Sequence, residues 1–325
     1  MREDPIVIVG AARTPMGGFQ GSLGGVSAPE LGGVAIRAAV ERAGVKPEDV
    51  EDVVMGLCLF AGLKQAPARQ AVHHAGLPWE TGCTTLSKMC GSAMKATMLA
   101  HDNIVAGSHD IMVAGGMESM TNAPYILPKA RGGYRLGHNT VKDHMFIDGL
   151  EDAYDEGKLM GSFAEDTATH YQFTREQQDA FAIESLTRAK RAVEDGTFKP
   201  EIQSVTVKGR KGDTVVADDE QPFNADISKI PHLKPAFRKD GTVTPANSSS
   251  ISDGAAALVL MKLSEAEKRG LQPLAAIHAH ATHGNSPAWF TTAPIGSIEK
   301  VLGKAGWNKN DVDLFEINEA FAVVT

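Results

Sequence analysis

The chain has 325 residues, of which 42% are hydrophobic, 22% charged and 33 are glycine, so it can bury a large core and is neither disordered nor collagen-like. Lys and Arg number 32 against 40 Asp and Glu, and the net charge of -8 argues against nucleic acid or any other polyanion as a partner. Three cysteines, Cys58, Cys83 and Cys90, are too few for a disulfide framework and lack zinc-site spacing, which points to a reducing, intracellular compartment.

Met1 to Pro5 runs straight into a strand-like Ile6 to Val9 without the basic flank and apolar stretch of a secretory signal. No apolar run approaches the roughly 20 residues of a membrane span, so the expectation is a soluble, cytoplasmic protein with no membrane partner. Gly10-Ala11-Ala12-Arg13-Thr14-Pro15 follows the strand as a dinucleotide fingerprint would, yet Ala12 and Pro15 stand where glycines are needed, which argues against a nicotinamide enzyme. Pro29 to Ala43 repeats Leu31, Val34, Ala35 and Ala38 at helical spacing before Gly44 stops it. Val53 to Phe60, Ile111 to Val113 and Ala256 to Met261 are apolar runs without strict alternation, as expected of strands covered on both faces. Strands alternating with helices predict an α/β layered fold.

Residues 122–250 break that rhythm with glycine and with basic residues such as Lys129, Arg131, Arg135 and Lys142, and read as an insertion. Inside it, Thr174 and Gln177 form a capping box for a helix carrying Phe181, Leu186 and Val193 and closed by Gly196. Val205 to Val207 and Thr214 to Val216 flank Lys208-Gly209-Arg210-Lys211-Gly212 as the arms of a hairpin. A weak internal repeat links Ala43 to Val50 with Ala305 to Val312; in both copies a helix precedes and a strand is expected to follow, at Val53 and at Leu314 to Ile317. Two related halves follow from this, the second of them incomplete at Thr325.

Strand-like Thr84-Thr85-Leu86 leads through Ser87-Lys88-Met89-Cys90-Gly91-Ser92 into an apolar helix with Met98, Leu99 and Ile104 that ends at Gly107. Cys90 thus stands at a strand-to-helix turn, where unpaired N–H groups and the helix dipole favour a thiolate and small neighbours admit a ligand. That position leaves a nucleophile and a structural thiol both open; Cys58, inside an apolar strand run, and Cys83 read as core. Asn318, after the expected strand at Leu314 to Ile317, would stand where a strand opens into a helix, either holding an oxyanion or water or simply capping the helix. Thr242 to Gly254 is a loop of small polar residues able to offer hydroxyls and backbone groups to a ligand. The 11 histidines show no metal-ligand pattern.

Taken together, Val9 to Pro15, Pro67-Ala68-Arg69-Gln70, Met89-Cys90-Gly91-Ser92, Ala114 to Met120, Ser252 to Ala256 and Asn318-Glu319-Ala320-Phe321 resemble the thiolases, nearest their acetyl-CoA acetyltransferase branch, in order and spacing. The resemblance implies a duplicated α-β-α-β-α layered fold in which residues 1–121 and 251–273 form the N-terminal half. Residues 122–250 would be a loop domain covering coenzyme A, and 274–325 an incomplete C-terminal half. It implies reversible condensation of two acetyl-CoA to acetoacetyl-CoA and CoA, with Cys90 taking the acyl group and its N–H serving an oxyanion hole, and Asn318 holding a water in a second one. Ser249 matches the serine that meets pantetheine, and Leu150, Met160, Phe237, Ala320 and Phe321 match positions lining the CoA and acyl tunnel. Phe290 falls at the border of the acyl pocket and suggests a short acyl group. Acyl-CoA and CoA are then the ligands, with no metal and no resident cofactor, and a homodimer or homotetramer is expected.

The family's further motifs, with a base histidine and an acid-base cysteine, are not found in residues 1–325, so the chain by this reading is nearly inactive. Ala93 replaces a usual glycine, and Pro222 stands near the place where an arginine often stacks on adenine. A degradative 3-ketoacyl-CoA thiolase, a non-catalytic CoA-binding derivative and a carrier-protein ketosynthase are the competing readings.

Overall fold

The computed structural model describes residues 3–325 and gathers the strand-like runs into one seven-stranded sheet flanked by two small hairpins. In chain order the strands are β1 (Ile6–Arg13), β2 (Gly17–Gly18), β3 (Asp52–Gly56), β4 (Gly82–Leu86), β5 (Ile111–Ser119), β6 (Tyr125–Ile126), β7 (Lys142–Asp143), β8 (Val205–Val207), β9 (Thr214–Val216), β10 (Ser252–Lys262) and β11 (Ala275–Ile277). The helices are α1 (Ala28–Ala43), α2 (Pro67–Ala75), α3 (Ser92–Ala106), α4 (Met160–Tyr171), α5 (Arg175–Glu194), α6 (Gln221–Asn224), α7 (Leu263–Lys268) and α8 (Ala293–Ala305). The sheet runs β11-β1-β10-β5-β3-β4, with β2 added to β10. β3 is parallel to β4 and β5, while β5, β10, β1 and β11 are successively antiparallel. No described helix is long and apolar enough to cross a membrane.

Both faces of the sheet are covered, as the unalternated apolar runs predict. Val53 and Met55, Val113, and Val259 and Met261 point to one face and pack under α1 and α2. Val54, Met112 and Ala114, and Leu260 point to the other, under Ala96, Ala100 and Ile104 of α3. The pleat thus sends successive residues into two cores, and each must be apolar.

Three strands are longer than their β-branched runs. β1, β5 and β10 continue through Gly10-Ala11-Ala12, Ala114-Gly115-Gly116 and Gly254-Ala255-Ala256, segments of low strand propensity held by neighbouring strands and close packing. A Cβ on Gly115 would lie 2.1 Å from the Ala256 carbonyl oxygen, and one on Gly10 2.4 Å from that of Ala39 in α1. The predicted strand Val53 to Phe60, by contrast, stops at Gly56. Beyond it the Leu57 N–H still reaches the Leu86 carbonyl at 3.0 Å, but those of Cys58 and Leu59 donate to the Glu118 carboxylate at 2.8 and 3.1 Å, so a side chain ends the ladder.

The two elements expected within residues 122–250 form. Thr174 Oγ1 accepts from the Gln177 N–H at 3.2 Å and Gln177 Oε1 from the Thr174 N–H at 2.9 Å, capping α5, and β8 pairs with β9 as a hairpin. The repeat also holds locally: α1 and α8 both close on left-handed glycines, Gly44 at φ 68° and Gly306 at φ 70°, and both are followed by a 3₁₀ turn. The expected strand at Leu314 to Ile317 does not form; Leu314 is 88% exposed, and no other described strand pairs with this run, without which an extended segment gains no ladder. Residues 321–324 make a turn rather than the helix expected after Asn318, so Asn318 is neither at a strand end nor a helix cap.

Candidate active site

Cys90 lies in the short connection between β4 and α3 and is solvent-exposed. Its predecessor Met89 has φ 47°, a left-handed conformation uncommon outside glycine and of the kind held at functional turns. Ser92 holds this turn: its hydroxyl accepts from the Lys88 N–H at 2.8 Å and donates to the Met89 carbonyl at 2.6 Å. The Gly91 and Ser92 N–H groups fold back onto the carbonyls of Lys88 and Met89 at 3.1 and 3.0 Å. The result is a tight loop that presents Cys90 at the positive end of α3.

The support beneath is as closely fitted. A Cβ on Gly56 would lie 2.5 Å from the Ser92 carbonyl carbon, so only glycine lets β3 approach the start of α3. Cys58 is not in a strand core as expected; it follows β3, half-buried, with Sγ 3.8 Å from Ser92 Oγ. Burial and the Glu118 carboxylate push the Cys58 thiol up to about 12, and burial raises Cys83, so neither is a ready nucleophile. Glu118 itself is raised by burial, against the two backbone N–H groups it accepts. Nearby, the Ala61 N–H donates to His144 Nε2 at 3.2 Å while His144 Nδ1 lies 2.6 Å from Asp148.

Five of the tunnel candidates converge. Met160, Phe237, Phe290, Ala320 and Phe321 share one apolar cluster with Ala164, Ala168, Val243 and Val323. Phe321 packs edge-on against Phe237 and in a tilted edge contact with Phe290, ring centres 6.2 and 6.4 Å away. Leu150 stands apart from this cluster, half-buried at the end of a π-helical turn over Phe146–Leu150.

Ser249 and Asn318 lie together on a different cavity, of about 780 Å³. α5 supplies Phe181, Ser185 and Leu186 to its wall, and Arg13, Phe198 and Pro222 line it as well. The loop Asn247 to Ser249 is stitched to the end of the chain. The Ser249 N–H donates to the Ala320 carbonyl at 2.9 Å, Ser249 Oγ to that of Glu319 at 2.7 Å, and the Ala322 N–H to that of Asn247 at 2.9 Å. Neither Cys90 nor the aromatic cluster is among the described residues lining this cavity.

Several residues that shape the site escaped the sequence reading. Asn247, 3% exposed, donates to Asp179 of α5 and to the Thr242 carbonyl, both at 3.1 Å, and so anchors the Ser249 loop. Glu165 of α4, also buried, accepts the Thr242 and Val243 N–H groups. Neither has a local signal, since each partner is remote in sequence. Ser92 had one, as a hydroxyl residue at a helix start, but it reads there only as a small side chain.

The family models named thiolase, N-terminal domain, and thiolase, C-terminal domain, match residues 6–264 and 271–325. The acetyl-CoA acetyltransferase of Cupriavidus necator is 48% identical over 319 residues, covering 98% of this chain and 81% of the relative. The mitochondrial acetyl-CoA acetyltransferase of Bos taurus is 48% identical over 322 residues, covering 98% and 75%. The solved acetyl-CoA acetyltransferase of Syntrophomonas wolfei superposes with a TM-score of 0.95 at 42% identity, over 99% of this chain and 80% of that one. Both family models thus find a match in the chain, which spans 75–81% of the length of these two relatives, and the near-inactivity expected from the sequence finds no support in these matches. With both domain models matched, relatives 48% identical over nearly the whole chain and a solved relative superposing on its fold, the chain belongs to the thiolase family.

Proposed function

We propose that this protein is an acetyl-CoA acetyltransferase, condensing two acetyl-CoA reversibly to acetoacetyl-CoA and CoA through an acetylated Cys90. The observation that carries the reading is the exposed Cys90 on a strained turn at the start of α3, pinned by Ser92. The names of the relatives support the reaction class.

In the first half-reaction the Cys90 sulfur attacks the thioester carbonyl, the carbonyl oxygen carries the negative charge through the tetrahedral intermediate, and CoA leaves as the thiol. The Cys90 N–H is assigned to that oxyanion. In the second, the α-proton of another acetyl-CoA passes to a general base, the resulting carbanion attacks the acetyl carbonyl, and the carbon–carbon bond forms as the acetyl–sulfur bond breaks, the proton returning to the Cys90 sulfur. Asn318 is assigned the water that polarises the second thioester, and Ser249, on the same cavity, the pantetheine arm. The cavity of about 780 Å³ is of a size for the body of a CoA molecule, and Pro222 and Phe181 supply apolar wall beside Arg13. Met160, Phe237, Phe290, Ala320 and Phe321 are assigned to the acyl end, while Leu150, apart from that cluster, is assigned to the tunnel on the resemblance alone; three phenylalanine rings packed together favour a two-carbon acyl group over a long chain. A homodimer or homotetramer in the cytoplasm belongs to the same reading.

Incubation with acetyl-CoA followed by peptide mass spectrometry should place one acetyl group on the Cys90 peptide and none in Cys90→Ala. Turnover should fall as the acyl chain lengthens. An unmodified Cys90 peptide would overturn the mechanism, and a preference for long chains would overturn the substrate.

A further inference from the structure

Away from the site described above, three side chains meet where α3 touches the segment following β11. His101 and Asp102 come from α3 and His280 lies just past β11, so the two elements belong to the two family domains. His101 Nδ1 is 2.9 Å and His280 Nε2 2.8 Å from the same oxygen, Asp102 Oδ1, and the three candidate donor atoms lie within 4.8 Å of one another.

Successive side chains leave a helix about 100° apart, so the convergence of His101 and Asp102 on one point is not a by-product of helix geometry. His101 is 5% exposed, and its ring meets that of His280 edge-on at 5.0 Å. Ile8, Met94, Met98, Ile277 and Val301 line a cavity of about 260 Å³ on the imidazole side of the trio, while Asp102 faces solvent. The Lys304 ammonium donates to the His280 carbonyl at 3.0 Å and fixes the backbone there.

We propose that His101, Asp102 and His280 bind one divalent metal ion of the zinc class, tying α3 to the first strand of the C-terminal domain. Two imidazole nitrogens and a carboxylate oxygen are a donor set that zinc or cobalt takes, with water in the remaining position. Donor atoms about 2.0–2.2 Å from such an ion in a tetrahedron stand roughly 3.3 Å apart, so the two nitrogen–oxygen spacings need to open by about half an ångström, with the two imidazole nitrogens, within 4.8 Å of each other, adjusting to match. The site is structural. It lies in the second half of α3, away from the Cys90 turn, and its consequence is a firmer hold on the helix that presents the nucleophile.

The test uses the whole chain freed of metal by chelation and titrated with Co²⁺, whose visible absorbance reports nitrogen and oxygen ligation at low coordination number, and with Zn²⁺ by calorimetry. One equivalent should bind, and saturating Zn²⁺ should raise the melting temperature by at least about 2 °C. Asp102→Asn and His280→Gln should weaken binding at least about tenfold and abolish the thermal shift, with near-ultraviolet circular dichroism unchanged. Cys90→Ser and a His73→Ala, His74→Ala double variant should bind as the parent does. Absence of a Co²⁺ spectrum, binding that survives in Asp102→Asn and His280→Gln, or binding lost in either control variant would overturn the proposal and leave the trio a hydrogen-bonded clamp.

Discussion

The Ser92 hydroxyl closes the turn that carries Cys90 by bonding on both sides of the left-handed Met89. Replacing Ser92 with Ala removes one acceptor and one donor and leaves the Lys88 N–H and the Met89 carbonyl to water. The expected stability loss is about 1–2 kcal/mol by denaturant unfolding. Acetyl transfer should slow by about tenfold or more at little-changed KM, because a nucleophile displaced by a fraction of an ångström loses orientation rather than binding. An unchanged kcat would mean that Ser92 serves only the fold. Cys90 itself was legible, since a strand, a small-residue turn and an apolar helix follow one another within a few residues. The contribution of Cys58 was not: the apolar run around it predicts a strand, and only the competing Glu118 carboxylate shows why the chain turns away after Gly56.

Helix α3 and strand β3 approach so closely that their contact tolerates no added methyl group. Gly56→Ala would place a Cβ 2.5 Å from the Ser92 carbonyl carbon and 2.6 Å from the Ala93 nitrogen, both backbone atoms that cannot rotate away. The expected outcome is about 1–3 kcal/mol of destabilisation in urea unfolding together with loss of acetylation at Cys90, since the strain enters at the nucleophile turn. An intact acetylation rate would show that α3 moves as a rigid body without disturbing that turn. α1, α3 and α5 were readable from caps and apolar spacing because a helix satisfies its hydrogen bonds within itself. The run Leu314 to Ile317 has the composition of a strand and forms none, since a strand takes its hydrogen bonds from neighbours that composition does not supply.

Residues 219 and 220 are seated on the sheet through their carboxylates. Arg13, at the end of β1, meets Asp219 in a paired contact at 2.7 and 2.9 Å, and Glu220 accepts the Gly18 and Ser22 N–H groups, both at 2.9 Å. Those backbone hydrogen bonds, Gly18 first, hold the Glu220 carboxyl at about 2, below its ordinary 4.5. A depressed carboxyl contributes stability above its unfolded value, and that contribution is lost as pH falls from about 4.5 towards 2. Solvent screening limits it to about 1 kcal/mol. Glu220→Gln should therefore lower stability at neutral pH by about that amount and flatten the acid limb of the unfolding curve over that window; an unchanged acid limb would refute the assignment.

Periodicity, caps and glycine stops, and with them the layered α/β class and the strand-to-helix turn at Cys90, could be read along the chain because the forces behind them act within a turn or two of backbone. Contacts such as Asn247 with Asp179, His280 with Asp102 and Arg13 with Asp219 join residues 68, 178 and 206 positions apart and leave no mark on either local stretch. Whether a polar side chain is an ordinary surface group or the anchor of a loop depends on which remote partner the packed core brings within 3 Å, and that is settled when the layers close on one another.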